Sequence, residues 1–368
     1  MSANVFDPIA FAVPRAAGDT AAASTFPSTP FWVPSHEYHT AGEPFRIVPP
    51  ADNAIPPPDG RTVRQRRDAV AAPSHPVNTL RIALCQEPRG HADMYGGFIT
   101  APDDAGAHFG VLFWHKDGFS TACGHGTIAL GFWAVARGVV SAPEGGDGTV
   151  DVRIDVPSGR VTARVRVVAG RPVSADFVNV PSYLIETDVE VALAERKLLV
   201  DIAWGGAAYA YVRAPDVGLT VEPANHDRFV VLGREVKAAL GARGRWDGYE
   251  LYGVSFVDDL GAGDGDAVRE RNVVIYGDGN VDRSPTGSST AARVALLVGR
   301  GRLDIGRGRL ENQSIIATAF TGVAEAEAPR QTDFRAVVPR VTGHARLVGE
   351  ARWYIDAEDE TFPGFTFR

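Results

Sequence analysis

Cysteine is scarce in this sequence, which has only Cys85 and Cys123 among its 368 residues. Two cysteines cannot form a disulfide framework, and this pair lacks the spacing of a zinc site. The N-terminus has neither a basic lead nor an apolar core of signal-peptide length, so secretion is not indicated. We therefore expect a reducing compartment and a cytoplasmic protein.

Long apolar runs and an excess of positive charge are also missing. Apolar runs such as residues 229–232 are far too short to cross a membrane. Lys and Arg total 37 against 45 for Asp and Glu, and no basic stripe with interleaved aromatic residues is present. Neither a membrane nor a nucleic acid is therefore an expected partner. The composition is that of a soluble globular protein long enough for two domains.

The most informative stretch places Cys123 at the start of a predicted helix. Apolar residues recur at helical spacing after it, and a basic residue followed by glycine ends the pattern, so the helix runs from about Gly124 to Arg137. Unpaired amides and the positive end of the helix dipole lower the pKa of a thiol there from about 8.5 to roughly 3.5–7.5 when the site is also electropositive. The sequence predicts a Cys123 thiolate at neutral pH.

The second half of the chain repeats this pattern around Thr286. Thr286 aligns with Cys123 and Gly287 with Gly124, and a second Arg-Gly pair at 300–301 ends the matching helix. Chance agreement among small residues is the alternative, but the start, the stop and the helix length are all in phase. Two similar halves with helix N-termini facing each other would hold a small anion between them. The halves differ in that one helix begins at a cysteine and the other at a threonine.

Composition and turn signals divide the chain into four segments. Residues 1–34 are rich in Ala, Ser, Thr and Pro without periodicity, which predicts an irregular N-terminal extension. Residues 35–204 are the predicted N-terminal domain with Cys123. Residues 205–345 are the predicted C-terminal domain with Thr286. Residues 346–368 are expected to pack back on the body.

Local patterns predict several elements within these segments. We expect helices over about 62–70 and 229–240, a strand over 81–85 and a further strand over 314–320. Period-two alternation, clearest over 150–167, predicts half-buried antiparallel strands. The first half is therefore predicted to be mostly sheet around one central helix.

Two histidines and two carboxylates between residues 36 and 44 raise the possibility of a metal site. A turn between two strands with surface-facing polar groups is the interpretation we favour, so no metal is expected. The segment Gly277-Asp278-Gly279 lacks the third glycine and the strand-helix context of a dinucleotide fingerprint. We therefore expect no nucleotide cofactor.

Several motifs together resemble the proline racemase family, whose fold is of the diaminopimelate epimerase type. The resemblance extends over nearly the whole chain from about Glu37, and its motifs are residues 39–44, 89–96, 123–127, 201–206 and 282–288. It implies an α+β fold with two similar domains, each a sheet wrapped around a central helix. The active site is expected between the two domains.

Racemases and epimerases of this family have a cysteine at both helix starts and transfer the Cα proton without a cofactor. Here Thr286 stands at the second position, which resembles the trans-3-hydroxy-L-proline dehydratase branch and a role in hydroxyproline catabolism. The resemblance implies that Cys123 and Thr286 are the catalytic pair. It also implies substrate contacts at the ring nitrogen, the carboxylate and the pocket wall, from Gly124, His125, Asp282, Gly287, Ser288, Tyr95 and Tyr276.

The chemistry of the pair supports this branch. Racemisation needs a second acid or base on the opposite face of Cα, and a threonine hydroxyl is too weak to replace a thiol. Elimination needs only a Cys123 thiolate to remove the Cα proton, with the helix N-termini stabilising the enolate charge as the neighbouring hydroxyl departs. We therefore predict a cofactor-independent hydro-lyase that converts trans-3-hydroxy-L-proline to pyrroline-2-carboxylate.

Two other functions stay open at this point. A proline or 4-hydroxyproline racemase or epimerase would need an unrecognised second base such as His125. A lapsed enzyme would only bind a small imino acid, and the presence of Cys123 and Asp282 argues against it. The expected partner is the imino acid alone, with a homodimer left open.

Three departures from the family pattern weaken the substrate assignment most. Ser289 stands where the family usually has glycine and is expected to narrow the approach to the carboxylate. Gln313 and Ala317 replace residues that are commonly Glu and Gly.

Overall fold

The computed structural model describes residues 26–50, 55–246 and 248–367. The helices in this part of the chain are α1 (Val63–Val70), α2 (Pro76–Cys85), α3 (Gly124–Ala136), α4 (His226–Leu240) and α5 (Gly287–Gly299). The strands are β1 (Phe31–Thr40), β2 (Glu43–Val48), β3 (Gly96–Thr100), β4 (Phe109–His115), β5 (Gly118–Phe119), β6 (Gly148–Val156), β7 (Gly159–Val168), β8 (Arg171–Val178), β9 (Ser182–Ala192), β10 (Lys197–Trp204), β11 (Ala208–Arg213), β12 (Gly253–Ala262), β13 (Ala267–Tyr276), β14 (Asn280–Asp282), β15 (Arg309–Ser314), β16 (Ala319–Ala328), β17 (Ala336–Gly343) and β18 (Ala345–Ile355).

One ring of strands surrounds α5. It runs in the order β9, β10, β11, β12, β13, β15, β16 and β17, and closes where β17 pairs with β9. The helix contacts strands on both sides of this closure, and its residues from Gly287 to Val298 are buried except Arg293. A helix that is apolar on all sides is stable only when it is enclosed in this way.

A second run of strands wraps around α3. It follows the order β18, β1, β2, β3, β4, β6, β7 and β8, and β8 joins the first ring by pairing with β17. Every residue of α3 from Gly124 to Val135 is buried. The predicted α+β architecture, rich in sheet and with few helices, is therefore confirmed.

The N-terminal strand begins earlier than the sequence predicts. Residues 1–25 of the predicted irregular extension lie outside the described residues. Strand β1 starts at Phe31, so the prediction of irregular structure is wrong for residues 31–34. This strand pairs with β18, and Phe31 lies opposite Ile355. Composition gives no sign of a pairing between the two ends of a chain. The ring of Phe26 also packs against the ring of Phe362, which lies in the segment predicted to fold back.

Two of the predicted strands are wrong. Residues 81–85 belong to α2, which begins with Pro76 after His75, whose side chain accepts a hydrogen bond from the backbone of Val77. A short apolar run does not distinguish a buried helix from a strand. Residues 314–320 contain a turn between β15 and β16, closed by the side chains of Ser314 and Thr318, whose oxygens lie 2.7 Å apart.

The predicted helices over 62–70, 124–137 and 229–240 are confirmed as α1, α3 and α4. The strands β9 and β10 pair into the ring around α5, although chain order assigned them to the N-terminal half. The alternating pattern of these two strands predicts that one face of each is buried. It does not predict which helix that face packs against. In the part of the chain that the structure describes, no helix is both long and apolar enough to cross a membrane.

Candidate active site

The start of α3 presents the thiol of Cys123. Cys123 is the N-cap residue, and its Sγ accepts a hydrogen bond from the backbone N–H of Gly126 at 3.2 Å. The ring nitrogens of His125 lie 3.5 and 3.6 Å from the same sulfur. The hydroxyl of Thr40 donates to the His125 carbonyl at 2.9 Å and so ties the first turn of α3 to β1.

The start of α5 presents the hydroxyl of Thr286. Its φ is 60°, a left-handed value that costs a β-branched residue energy and is often found at functional sites. Two hydrogen bonds hold this conformation, from Thr286 N to Ser284 Oγ at 3.0 Å and from that hydroxyl to Asp282 Oδ1 at 2.7 Å. Among the described residues, the buried Thr286 Oγ1 has no hydrogen-bond partner. The hydroxyl is therefore available to a ligand between the helices.

A small cavity separates the two helix starts. Its free volume of about 10 Å³ is enough for a single water molecule. The lining residues are Ala122, Cys123, His125, Asp282, Thr286 and Ser288, with the four tyrosines Tyr95, Tyr209, Tyr252 and Tyr276.

The structure brings seven of the nine site residues expected from the sequence together around this cavity, namely Cys123, Thr286, His125, Asp282, Ser288, Tyr95 and Tyr276. The other two, Gly124 and Gly287, do not line it, because they pack against each other at the point where the helices meet.

Sequence analysis missed two tyrosines of the site. Tyr209 lies in β11, and its hydroxyl is 2.7 Å from the Ser288 hydroxyl. Tyr252 precedes β12, and its hydroxyl is 2.9 Å from that of Tyr95. The alternating Ala-Tyr pattern of β11 would have shown that Tyr209 faces one side of the strand, but not that this side faces α5.

Burial dominates the ionisation of Cys123. Loss of solvation raises its pKa well above the ordinary value, and the carboxyl groups of Asp282 and Glu43 raise it further. The hydrogen bond from the Gly126 N–H and the nearby Tyr95 hydroxyl act in the opposite direction. The predicted thiolate at neutral pH is therefore wrong for this buried thiol in the free protein, because the cost of burying a charge exceeds the effect of the helix N-terminus.

His125 is neutral in this environment. Burial lowers its pKa, which the charge of Asp282 and a hydrogen bond to the carbonyl of Pro44 only partly offset. Its Nδ1 lies 3.9 Å from Asp282 Oδ2. The Asp282 carboxylate and the unprotonated nitrogen of His125 can therefore accept hydrogen bonds from a cationic ring nitrogen.

The turn around residues 36–44 joins β1 and β2, as predicted, but its polar groups do not all face the surface. His36 and Glu43 are 3 % and 0 % exposed. The Oε2 atom of Glu43 accepts a hydrogen bond from Arg283 N at 2.8 Å. Burial and the nearby Asp282 raise the Glu43 pKa well above its ordinary value. No group of three His, Cys, Asp or Glu side chains in the described ranges is placed to hold a metal ion.

The three departures from the family pattern lie outside the cavity lining. The Ser289 hydroxyl is 3.2 Å from the Tyr211 hydroxyl, so its side chain does not narrow the cavity. Gln313 accepts a hydrogen bond from Arg271 at 2.7 Å. Ala317 has a φ of 63°, a conformation that glycine adopts more easily.

The chain is similar to proteins of known activity over most of its length. Trans-3-hydroxy-L-proline dehydratase of Colwellia psychrerythraea is 38 % identical, with coverage of 91 % of this chain and 92 % of that protein. The 3-hydroxyproline 2-epimerase of Burkholderia multivorans is 39 % identical, with coverage of 90 % and 97 %. The crystal structure of a hydroxyproline epimerase from Agrobacterium vitis with bound trans-4-hydroxy-L-proline has a TM-score of 0.81 at 26 % identity, covering 91 % and 95 %.

These similarities agree with the geometry of two helix starts facing one small cavity. The family model for proline racemase matches residues 36–366. The chain therefore belongs to the proline racemase family.

Proposed function

We propose that the protein is a trans-3-hydroxy-L-proline dehydratase, a hydro-lyase that forms pyrroline-2-carboxylate without a cofactor. The observation that carries this proposal is the unequal pair of helix starts, with a thiol at Cys123 and a hydroxyl at Thr286. The similar dehydratase of Colwellia psychrerythraea supports the same assignment.

In the proposed reaction, Cys123 removes the Cα proton. The backbone N–H groups at the start of α3 and α5 are suited to bind the substrate carboxylate and to stabilise the charge that develops as the proton leaves. Asp282 and His125 are placed to bind the protonated ring nitrogen. A cation beside Asp282 offsets the negative charge that raises the Cys123 pKa, so substrate binding favours the thiolate.

Epimerisation is the second candidate, because the similar protein of Burkholderia multivorans is a 3-hydroxyproline 2-epimerase. It requires a proton donor on the face opposite Cys123. Thr286 occupies that position, and a hydroxyl is neither a strong enough acid nor a strong enough base to exchange protons at Cα. The same reasoning argues against a proline or 4-hydroxyproline racemase.

Incubation of the purified protein with trans-3-hydroxy-L-proline, L-proline and both 4-hydroxyproline epimers separates these functions. Optical rotation reports epimerisation, and imine formation reports dehydration. We expect imine from trans-3-hydroxy-L-proline alone. A racemase or epimerase would change optical rotation without forming imine, and a lapsed enzyme would do neither.

We further propose that the two halves act as two domains with the site between them. The cavity takes Cys123 and Tyr95 from the first half and Asp282 and Thr286 from the second, which supports this division. The proposed compartment is the cytoplasm, and the proposed ligand is a small imino acid.

A further inference from the structure

Three hydroxyl groups form a connected cluster beside Cys123, and we call Tyr95, Ser120 and Tyr252 the hydroxyl triad. The Tyr95 hydroxyl is 2.5 Å from the Ser120 hydroxyl and 2.9 Å from the Tyr252 hydroxyl. Tyr95 and Ser120 are 2 % and 4 % exposed. The central phenol of the triad is therefore fixed in position by two partners.

The triad lies between two cavities. Tyr95 and Tyr252 line the small cavity that contains Cys123. Ser120 and Tyr252 line a neighbouring open cavity of about 710 Å³. The hydrogen-bonded hydroxyls thus connect the small cavity to the open one and offer a proton a route between them.

Tyr95 lies on the Cys123 side of the site. Its side chain lines the same small cavity as Cys123 and comes from the same half of the chain. Burial raises the Tyr95 pKa well above its ordinary value, so the phenol keeps its proton at neutral pH. Thr286, by contrast, belongs to the start of the facing helix.

The stereochemistry of the proposed substrate decides where an acid is needed. In trans-3-hydroxy-L-proline the carboxylate and the hydroxyl are on opposite faces of the ring. The Cα hydrogen and the hydroxyl are therefore on the same face, and elimination is syn. Hydroxide is a poor leaving group and needs a proton, so the base and the proton donor must share one face.

Building on the proposed dehydration, we propose that Tyr95 protonates the leaving hydroxyl, positioned by Ser120 and Tyr252. The Cys123 thiolate takes the Cα proton, and the electron pair of the broken Cα–H bond forms the Cα–Cβ double bond. The Cβ–O bond breaks with its electron pair on oxygen, and the Tyr95 proton completes a water molecule. The phenolate then recovers a proton from the Cys123 thiol across the small cavity that both residues line, which restores both groups.

His125 is another protic group close to Cys123, with ring nitrogens 3.5 and 3.6 Å from its sulfur. Its Nδ1 lies 3.9 Å from Asp282 Oδ2, where the proposed reaction binds the substrate's ring nitrogen, and His125 does not line the open cavity. It is therefore a weaker candidate for the acid than Tyr95, which lines the Cys123 cavity and is linked to the open cavity through Ser120 and Tyr252.

The test compares two leaving groups in the Tyr95→Phe variant. Chloride leaves without a proton, so trans-3-chloro-L-proline needs the base but not the acid. We expect Tyr95→Phe to lose about 10²- to 10⁴-fold in dehydration and to retain chloride elimination within about tenfold of the wild type. Retained chloride elimination also shows that the variant is folded.

Tyr211→Phe is the matched control, because it removes a buried phenol that donates to the Ser289 carbonyl and does not line the cavity. The ratio of the dehydration rate to the chloride-elimination rate should be the same in Tyr211→Phe as in the wild type. Equal losses of both reactions in Tyr95→Phe, or unimpaired dehydration, would overturn the role of Tyr95 while leaving the proposed function in place. A wild-type protein that does not dehydrate trans-3-hydroxy-L-proline would overturn the proposed function itself.

Discussion

Gly124 and Gly287 pack backbone against backbone, and a Cβ on Gly124 would lie 2.5 Å from the Cα of Gly287. Each is the first residue of its helix, directly after Cys123 or Thr286. A side chain at either position would push the two helices apart. The contact therefore fixes the separation between the thiol and the hydroxyl, and it explains why glycine occurs at both positions of the repeat.

Gly124→Ala should reduce both stability and turnover. The added methyl group has no space, so we expect the free energy of unfolding to fall by about 1–3 kcal/mol. The rate should fall as well, because the two helix starts can no longer approach. Urea unfolding and kcat/KM measure the two effects. Gly349→Ala is the control, since nothing lies within 4 Å of a Cβ there. If Gly124→Ala has the stability and the rate of the wild type, the close backbone contact between Gly124 and Gly287 is refuted.

Cys123→Ser should abolish turnover, whereas Cys85→Ser should not. Cys85 is fully buried, its Sγ donates to the Met94 carbonyl at 3.3 Å, and burial raises its pKa to about 12. A serine at position 85 preserves that hydrogen bond. Iodoacetamide followed by intact-mass analysis should modify Cys123, and pyrrole-2-carboxylate, a planar anion that resembles the intermediate, should slow the reaction. Modification mainly at Cys85 would count against this assignment.

The rate should rise with pH. Burial raises the Cys123 pKa above its ordinary value, and only the deprotonated sulfur can accept the Cα proton. We expect kcat/KM to increase from about pH 7 towards pH 10, beyond the pKa of an ordinary thiol. Rates measured across this range in buffers of constant ionic strength test the direction. A profile that is already flat at pH 7 would mean that the free enzyme holds a thiolate.

Acid should destabilise the fold through His36. Burial lowers its pKa from 6.5 to about 4, and its Nδ1 accepts a hydrogen bond from Trp133 Nε1 at 2.7 Å. A lowered pKa means that this contribution to stability is present above pH 6.5 and is lost as the pH falls to about 4. Chemical unfolding followed by tryptophan fluorescence should show the loss. His36→Asn keeps an acceptor but cannot be protonated, so its stability should depend less on pH in this window. If the stability of His36→Asn depends on pH as strongly as that of the wild type, His36 is not the group responsible for the loss of stability in acid.

Local signals in the sequence were sufficient for some elements and not for others. The N-cap, apolar spacing and glycine stop of α3 all lie within a few residues of each other, so its bounds were predictable. The apolar run of α2 lacks such spacing, and its conformation is decided by packing. Tyr95 and Tyr252 meet although they are 157 residues apart. The error in the Cys123 pKa has the same origin, because the residues that bury its thiol come from both halves of the chain.

Thr286→Cys should give the second helix start a thiol. The hydrogen bonds from Thr286 N to Ser284 and from Ser284 to Asp282 involve no Thr286 side-chain atom, so the backbone around the new residue is preserved. We expect the variant to epimerise proline or hydroxyproline slowly, because acids or bases then stand on both faces of Cα. Thr286→Ser is the matched control and should show no epimerisation. If Thr286→Ser also epimerises these substrates, the absence of a second thiol is not the reason that the wild type does not.

The most direct measurement uses the wild-type protein in heavy water with trans-3-hydroxy-L-proline and L-proline in parallel. Imine formation and chiral chromatography follow the two substrates. We expect trans-3-hydroxy-L-proline to yield pyrroline-2-carboxylate and L-proline to keep its configuration, because the helix start opposite Cys123 carries the hydroxyl of Thr286, which is too weak an acid or base to exchange a proton at Cα. Rapid formation of D-proline would contradict this mechanism, since it would require a second proton donor on the Thr286 side.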